Sequence, residues 1–206
     1  VTVVDLKRLK HIGSVPLGAG AYAEKLRKRR TEITEERIEE ALAKFEKKCH
    51  EANITFKVKR ETGDPFELMI SYARYNDVII FGLRSLFDYG FTPEPQDTLM
   101  RLVSQGVRPI IAVSAAYREI RKVLIAYSGS MESAKAMRRY VQLRAWPNVN
   151  LRVVSFEESN KKALKRLEAA RGYCRAHGYE TEIDAVAGSP KDGLIEYAHQ
   201  NEFDLI

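Results

Sequence analysis

The stretch TGDPFELMISYARYNDVIIF, residues 62–81, returns in altered form as AGSPKDGLIEYAHQNEFDLI at 187–206. At a constant offset of 125 residues (63 to 188, 65 to 190) Gly63 meets Gly188 and Pro65 meets Pro190. Ile70, Tyr72, Ala73 and Asn76 meet Ile195, Tyr197, Ala198 and Asn201, and further upstream Leu42 and Cys49 meet Leu167 and Cys174. Matches spread over helix, strand, turn and helix define an internal repeat. The Gly-x-Pro turn has a physical reason in both copies. Glycine permits the sharp exit from a strand, and proline fits the first turn of the helix that follows.

Working outward from this pair, strands alternate with helices. The first copy reads as a strand at 1–6, a long loop over 7–31 with Gly13, Pro16, Gly18 and Gly20, and a helix over 31–53. Ile38, Leu42, Phe45 and Cys49 line one face of that helix, and Thr34 suits its N-cap. A strand at 54–61, a short helix after Pro65, a strand at 77–82, a helix around 97–105 and a strand at 109–114 complete it. The second copy starts at Lys122 with strand KVLIAY and helix SAKAMRRYVQLRAW. Strand NLRVVSF, a helix from Asn160, strand YETEIDAVAG, a helix from Pro190 and FDLI follow. Such alternation predicts parallel βαβ units and an α/β fold, with the first copy's strands 1–6, 54–61, 77–82 and 109–114 in one parallel sheet. The copies are offset in what they contain. The first is expected to lack the strand and helix corresponding to 122–146, the second to stop short of its closing helix and strand, so that the chain reads as a segment of a longer tandem protein.

Composition narrows the function classes. The 206 residues are 45% hydrophobic and 30% charged, with a net charge of +6, which predicts a packed core. No apolar run is long enough to span a bilayer and no signal-peptide pattern opens the chain, so a cytoplasmic protein is expected. Cys49 and Cys174 are far apart and outside any CxxC pair, and the four histidines stand singly. These features argue against a metal site or a disulfide framework, and the cysteines read as small core residues. The basic run KLRKRR, Lys25 to Arg30, reads as a solvated loop. No zinc-finger spacing or base-stacking motif accompanies it, which argues against a nucleic-acid partner.

VLIAYSGSMESAKAM (123–137), a buried strand running into a Ser-Gly-Ser turn and a helix, resembles the first strand and turn of the universal stress protein A family. There the turn typically carries Asp-Gly-Ser. TVVD (2–5) resembles that family's second-strand ending, GDP and GSP its third-strand exits, DVIIFG its fourth strand and VRPIIAVS its closing strand. The resemblance implies two universal-stress-protein-like α/β domains in tandem, 1–118 and 119–206. Each would be a parallel sheet of order 3-2-1-4-5, binding ligands at the carboxyl ends of its strands. It further implies a stress-response or regulatory protein, non-catalytic, that binds an adenine nucleotide (ATP with Mg, or AMP) or a protein. Association between domains or chains, as in a dimer, is expected through the closing strand 109–114, whose apolar edge needs cover. The candidate nucleotide contacts are Tyr127, Ser128, Gly129 and Ser130 in the second domain and Val3, Asp5, Gly82 and Ser85 in the first.

The family's phosphate loop after strand 4, Gly-x2-Gly-x9-Gly-Ser/Thr, is departed from in the first copy. Gly82 stands at its first glycine, but Ser85 replaces the second. Gln96 and Asp97 fall where the Gly-Ser pair belongs, and a carboxylate there repels phosphate. The aromatic FDYGF (87–91) fills space that small residues would leave open. The first domain is therefore expected to be degenerate; the second domain's loop would lie beyond Ile206. In the second copy Ser128 takes the place of the family's aspartate. The same residues, SGSMES (128–133), also resemble a degraded phosphate loop of the PP-loop ATP pyrophosphatases, with Ser128, Gly129, Ser130 and Ser133 holding pyrophosphate. Against that alternative, Ser130 replaces a glycine, the motif lies inside a repeat, and no substrate domain is recognisable. Independently of either likeness, Ser130 is placed to cap the helix from Met131.

Overall fold

The computed structural model describes residues 2–4, 20–82, 103–105, 109–114, 116–157 and 160–206. The chain divides into two compact units, Val1–Val113 and Ser114–Ile206. All its described strand pairs are parallel, as βαβ connections require.

In the second unit β5 (Lys122–Ala126), β6 (Asn150–Phe156) and β7 (Thr181–Val186) form a sheet of order β5-β6-β7. On the other side of β5 the chain end pairs parallel to it through Val123 and Leu205. The amide of Leu124 donates to the Leu205 carbonyl, and that of Asp204 to the Lys122 carbonyl, both at 2.9 Å. Helices α3 (Met131–Leu143) and α4 (Asn160–Ala176) cover one face. There Met137, Val141, Leu167, Ala170 and Cys174 pack on Val123, Ile125, Leu151 and Val153. Helix α5 (Pro190–Gln200) covers the opposite face, packing Ala198, Leu194 and Tyr197 on Leu124 and Val154. Both faces of β6 are thus buried, which explains its apolar run Val153-Val154: a strand clad on both sides loses the apolar-polar alternation.

The first unit contains β1 (Thr2–Val4), α1 (Gly20–Glu51), β2 (Arg60–Thr62), α2 (Pro65–Ala73), β3 (Ile79–Gly82) and β4 (Ile110–Val113). The expectation of one sheet fails here. β1 pairs with β2 and β3 pairs with β4, in two separate two-stranded sheets. The second unit supplies the physical reason. Its β5 is hydrogen-bonded to β6 on one side and to the 203–206 segment on the other. In the first unit no described strand stands between β1 and β3 to join them. One face of the β3–β4 pair is covered by α2, whose Phe66, Met69, Ile70 and Ala73 meet Ile79, Phe81 and Ile110. Ile80 points the other way and stays 60% exposed.

Helix α1 corrects two further expectations. It begins at Gly20 rather than near 31, which places KLRKRR on a helix instead of a loop and Thr34 inside the helix instead of at its cap. Ala, Glu, Lys, Leu and Arg at 21–30 are strong helix formers with no proline among them, so the helix extends toward the glycine. The remainder of the expected loop, 7–19, lies outside the described residues. The strand expected at 54–61 is confined to Arg60–Thr62.

Positions 125 residues apart share local geometry in the two units. Gly63 and Gly188 have φ of 151° and 114°. After them Asp64 and Ser189 cap α2 and α5, accepting from the amides of Phe66 and Lys191. Asn76 and Asn201 donate Nδ2 to the carbonyls of Tyr72 and Tyr197 at 2.7 and 2.9 Å. Both tyrosine hydroxyls donate to a carboxylate at 2.6 Å, Glu61 in one unit and Asp184 in the other. Asn53 and Gly178, also 125 apart, close α1 and α4 in the left-handed region that helix ends favour.

Candidate functional site

At β5 the strand order of the second unit reverses, with β6 on one side and the 203–206 segment on the other, and the helices that lead to these two neighbours diverge to opposite faces. The chain goes from β5 through α3 on one face to β6, and it reaches 203–206 through α5 on the other. In an open parallel sheet this divergence opens a crevice beyond the carboxyl ends of the two neighbouring strands, where loops lead away from each other. Asp204 helps hold the register. Its Oδ2 accepts the amides of Arg121 and Lys122, both at 3.0 Å. Partial burial acts to raise its carboxyl, but those two N–H groups together with the charges of Arg118 and Lys122 hold the group below its ordinary value.

Tyr127 to Ser130 form the turn at this crevice. The Tyr127 amide still belongs to the sheet, donating to the Val154 carbonyl at 2.8 Å. Gly129 then takes φ of 80°, a conformation costly for any residue with a Cβ. Ser130 is the N-cap of α3, its hydroxyl oxygen accepting the Ser133 amide at 3.2 Å. The Ser133 hydroxyl returns to the Ser130 carbonyl at 3.0 Å, and the Ser128 hydroxyl oxygen accepts the Ser130 amide at 3.3 Å. Ser128, Gly129 and Ser130 are exposed and Tyr127 is half-buried, so the turn is open to a ligand. It offers hydroxyls and backbone N–H groups at a helix start, which suits an anion or a sugar hydroxyl.

Two side chains absent from the sequence-based expectations complete this corner. Arg166, on α4, pairs with Glu157 just past β6. Its stem lies on the turn: a methyl group at Gly129 would stand 2.6 Å from Arg166 Cδ and 2.9 Å from its Nε. Glu157 is steadied by the Ser155 hydroxyl, which donates to its Oε1 at 3.2 Å. The repeat held a signal for Arg166. At the same offset the first copy has Ala41, so a charge appears in one copy where the other has a methyl group.

In the first unit Val3 lies in β1, opposite Glu61, and Gly82 ends β3, opposite Val113. These strands belong to separate sheets, so strand pairing does not bring the two residues together. Asp5, Ser85, Gln96, Asp97 and the FDYGF segment lie outside the described residues. Among the described residues, no group of three or more His, Cys, Asp or Glu is placed to hold a metal. No helix there is long and apolar enough to cross a membrane.

No family model matches the chain. Among curated proteins it is similar to Universal stress protein Slr1230 of Synechocystis, 22% identical over 220 residues that span 99% of this chain and 76% of that protein. Solved structures align over less than half of it. They include hypothetical protein MJ0577 (12% identity, 43% of this chain and 74% of that one, TM-score 0.40). A universal stress protein in complex with cAMP aligns at 22% identity, 43% and 75% coverage and TM-score 0.37. Protein Rv1636 of Mycobacterium tuberculosis H37Rv aligns at 22%, 44% and 71%, and 0.37. The resemblance to the universal stress proteins therefore runs along nearly the whole chain, and the described architecture is α/β with parallel sheets flanked by helices.

Proposed function

We propose that this chain is a regulatory, stress-response protein built from two universal-stress-protein-like domains in tandem, acting by binding and not by catalysis. Its second unit takes an adenine nucleotide, AMP or ATP with Mg, at the turn Tyr127–Ser130. The observation that carries this is the placement of the turn. It stands at the carboxyl end of the strand where the connections diverge, with exposed serine residues and the positive end of α3 beside it. The first unit is the degenerate partner, since its candidates Val3 and Gly82 belong to unjoined sheets. The exposed end of β4, Ala112 and Val113, gives a second copy an edge to pair with. The Ser130 hydroxyl is spent on capping α3, which favours a binding turn over the PP-loop alternative, where a glycine would leave room for pyrophosphate.

Titration calorimetry of the purified chain with AMP, ATP plus Mg, and adenosine tests the proposal. The expected result is saturable binding of one adenine ligand with no turnover. Absence of binding by all three overturns the nucleotide reading, and release of pyrophosphate from ATP on adding an acceptor would establish the alternative instead.

A further inference from the structure

We infer that Arg166 selects phosphate-bearing ligands over neutral nucleosides at the Tyr127–Ser130 turn, and that Glu157 holds it in reserve until such a ligand arrives. The inference rests on the nucleotide reading of this turn and goes beyond it by assigning the charge that the turn itself lacks. Ser128, Gly129 and Ser130 bring hydroxyls and amides only, and the ionisable side chain in the first turn of α3 is Glu132, which is acidic. Arg166 is a cation that lies against the turn. Its Cδ and Nε are the atoms that a methyl group at Gly129 would strike, so the absence of a side chain at Gly129 is what lets the guanidinium stem lie there.

The guanidinium is under-used in this position. Arginine carries five N–H donors, yet the partner found for it is the single carboxylate of Glu157. Among the described residues its Nε and Nη2 are both shielded from solvent without a hydrogen-bond partner, and Nη2 meets Glu157 as an ion pair only. A shielded donor without an acceptor is costly, and a phosphate oxygen at the turn removes that cost while forming a charge-assisted bond. Glu157 competes for the same group. It is anchored by the Ser155 hydroxyl, and its amide donates to the Val186 carbonyl at 3.0 Å. The guanidinium can therefore turn toward a ligand while the carboxylate stays in place. Arg166 is exposed enough for this, with 36% of its side-chain surface accessible.

The test compares AMP with adenosine by titration calorimetry for the native chain, Arg166→Met and Glu157→Gln, with thermal melts to verify folding. The native chain should bind AMP about tenfold or more tightly than adenosine, the range of one charge-assisted hydrogen bond. Arg166→Met should bring that ratio to within about twofold while adenosine affinity stays near native. Glu157→Gln, which weakens the competitor, should tighten AMP and leave adenosine unchanged. If Arg166→Met weakens both ligands alike, or Glu157→Gln fails to tighten AMP, the selector role is overturned. Equal binding of AMP and adenosine by the native chain overturns it while leaving the adenine site standing. No binding of either overturns both.

Discussion

Two leucines 125 residues apart provide a matched pair of perturbations within one molecule. Leu167 and Leu42 occupy equivalent places in α4 and α1, yet Leu167 is fully buried and Leu42 only partly. In the second unit the leucine sits in a core closed by β5, β6, α3 and α4. Leu167→Ala there removes about 2–3 kcal/mol of transfer free energy and leaves a cavity that rigid neighbours cannot fully fill, for a total of about 3 kcal/mol. Leu42 belongs to a helix face that is largely open, with Phe45 one turn on at 50% exposure. Leu42→Ala should therefore cost about 1 kcal/mol, with little cavity contribution. Urea unfolding measures both. The single tryptophan, Trp146, stacks beside Tyr140 against the second unit's core, so its fluorescence follows that unit. At a slope of about 1.5 kcal/mol per molar urea, the midpoint seen by Trp146 should fall by about 2 M in Leu167→Ala. In Leu42→Ala that midpoint should hardly move, while far-UV circular dichroism falls modestly earlier. Equal costs for the two variants, or less than about 1 kcal/mol for Leu167→Ala, would refute the assignment of the main core to the second unit.

Two other outcomes are expected. Burial pushes the Cys174 thiol up from its ordinary 9.0 to about 11, against a lowering hydrogen bond with Thr181, and burial also raises the Tyr140 and Tyr179 hydroxyls. The unfolded chain then loses these protons first. The thiol's contribution is complete below pH 9 and lost as pH rises toward 11, so stability should fall across that window; urea midpoints at pH 8, 9, 10 and 11 that stay level would contradict it. In hydrogen exchange, β6 amides, paired on both sides, should be protected far longer than those of the two-stranded β1–β2 and β3–β4 pairs. Comparable protection would mean that the first unit's sheets are joined after all.

The residues alone carried the alternation of strand and helix, the repeat, and the caps that punctuate it, because each is a local matter. Gly63 and Gly188 take backbone conformations that glycine favours, Pro65 and Pro190 cannot sit mid-helix, and Ser130 caps the nearest amides in its own chain. The extent of α1 departs from the local expectation for the same reason in reverse. Glycines and a basic run suggest a loop, whereas the eight good helix formers from Ala23 to Arg30 propagate the helix back toward Gly20. Turn residues Tyr127 to Ser130 could be picked out as site candidates because they are contiguous.

Tertiary structure decided what lies far apart along the chain. Whether β1 and β3 share a sheet depends on a strand between them, since two strands that are not hydrogen-bonded to each other belong to one sheet only through common neighbours. No local pattern in either strand reports that neighbour. Arg166 likewise comes to the turn only because α4 packs back across β6 and β7, carrying a side chain 37 residues past Gly129 (129 to 166) onto it, and Glu157 comes there because β6 lies beside β5. Local sequence sets the shape of the turn; the packing of a distant helix sets its charge.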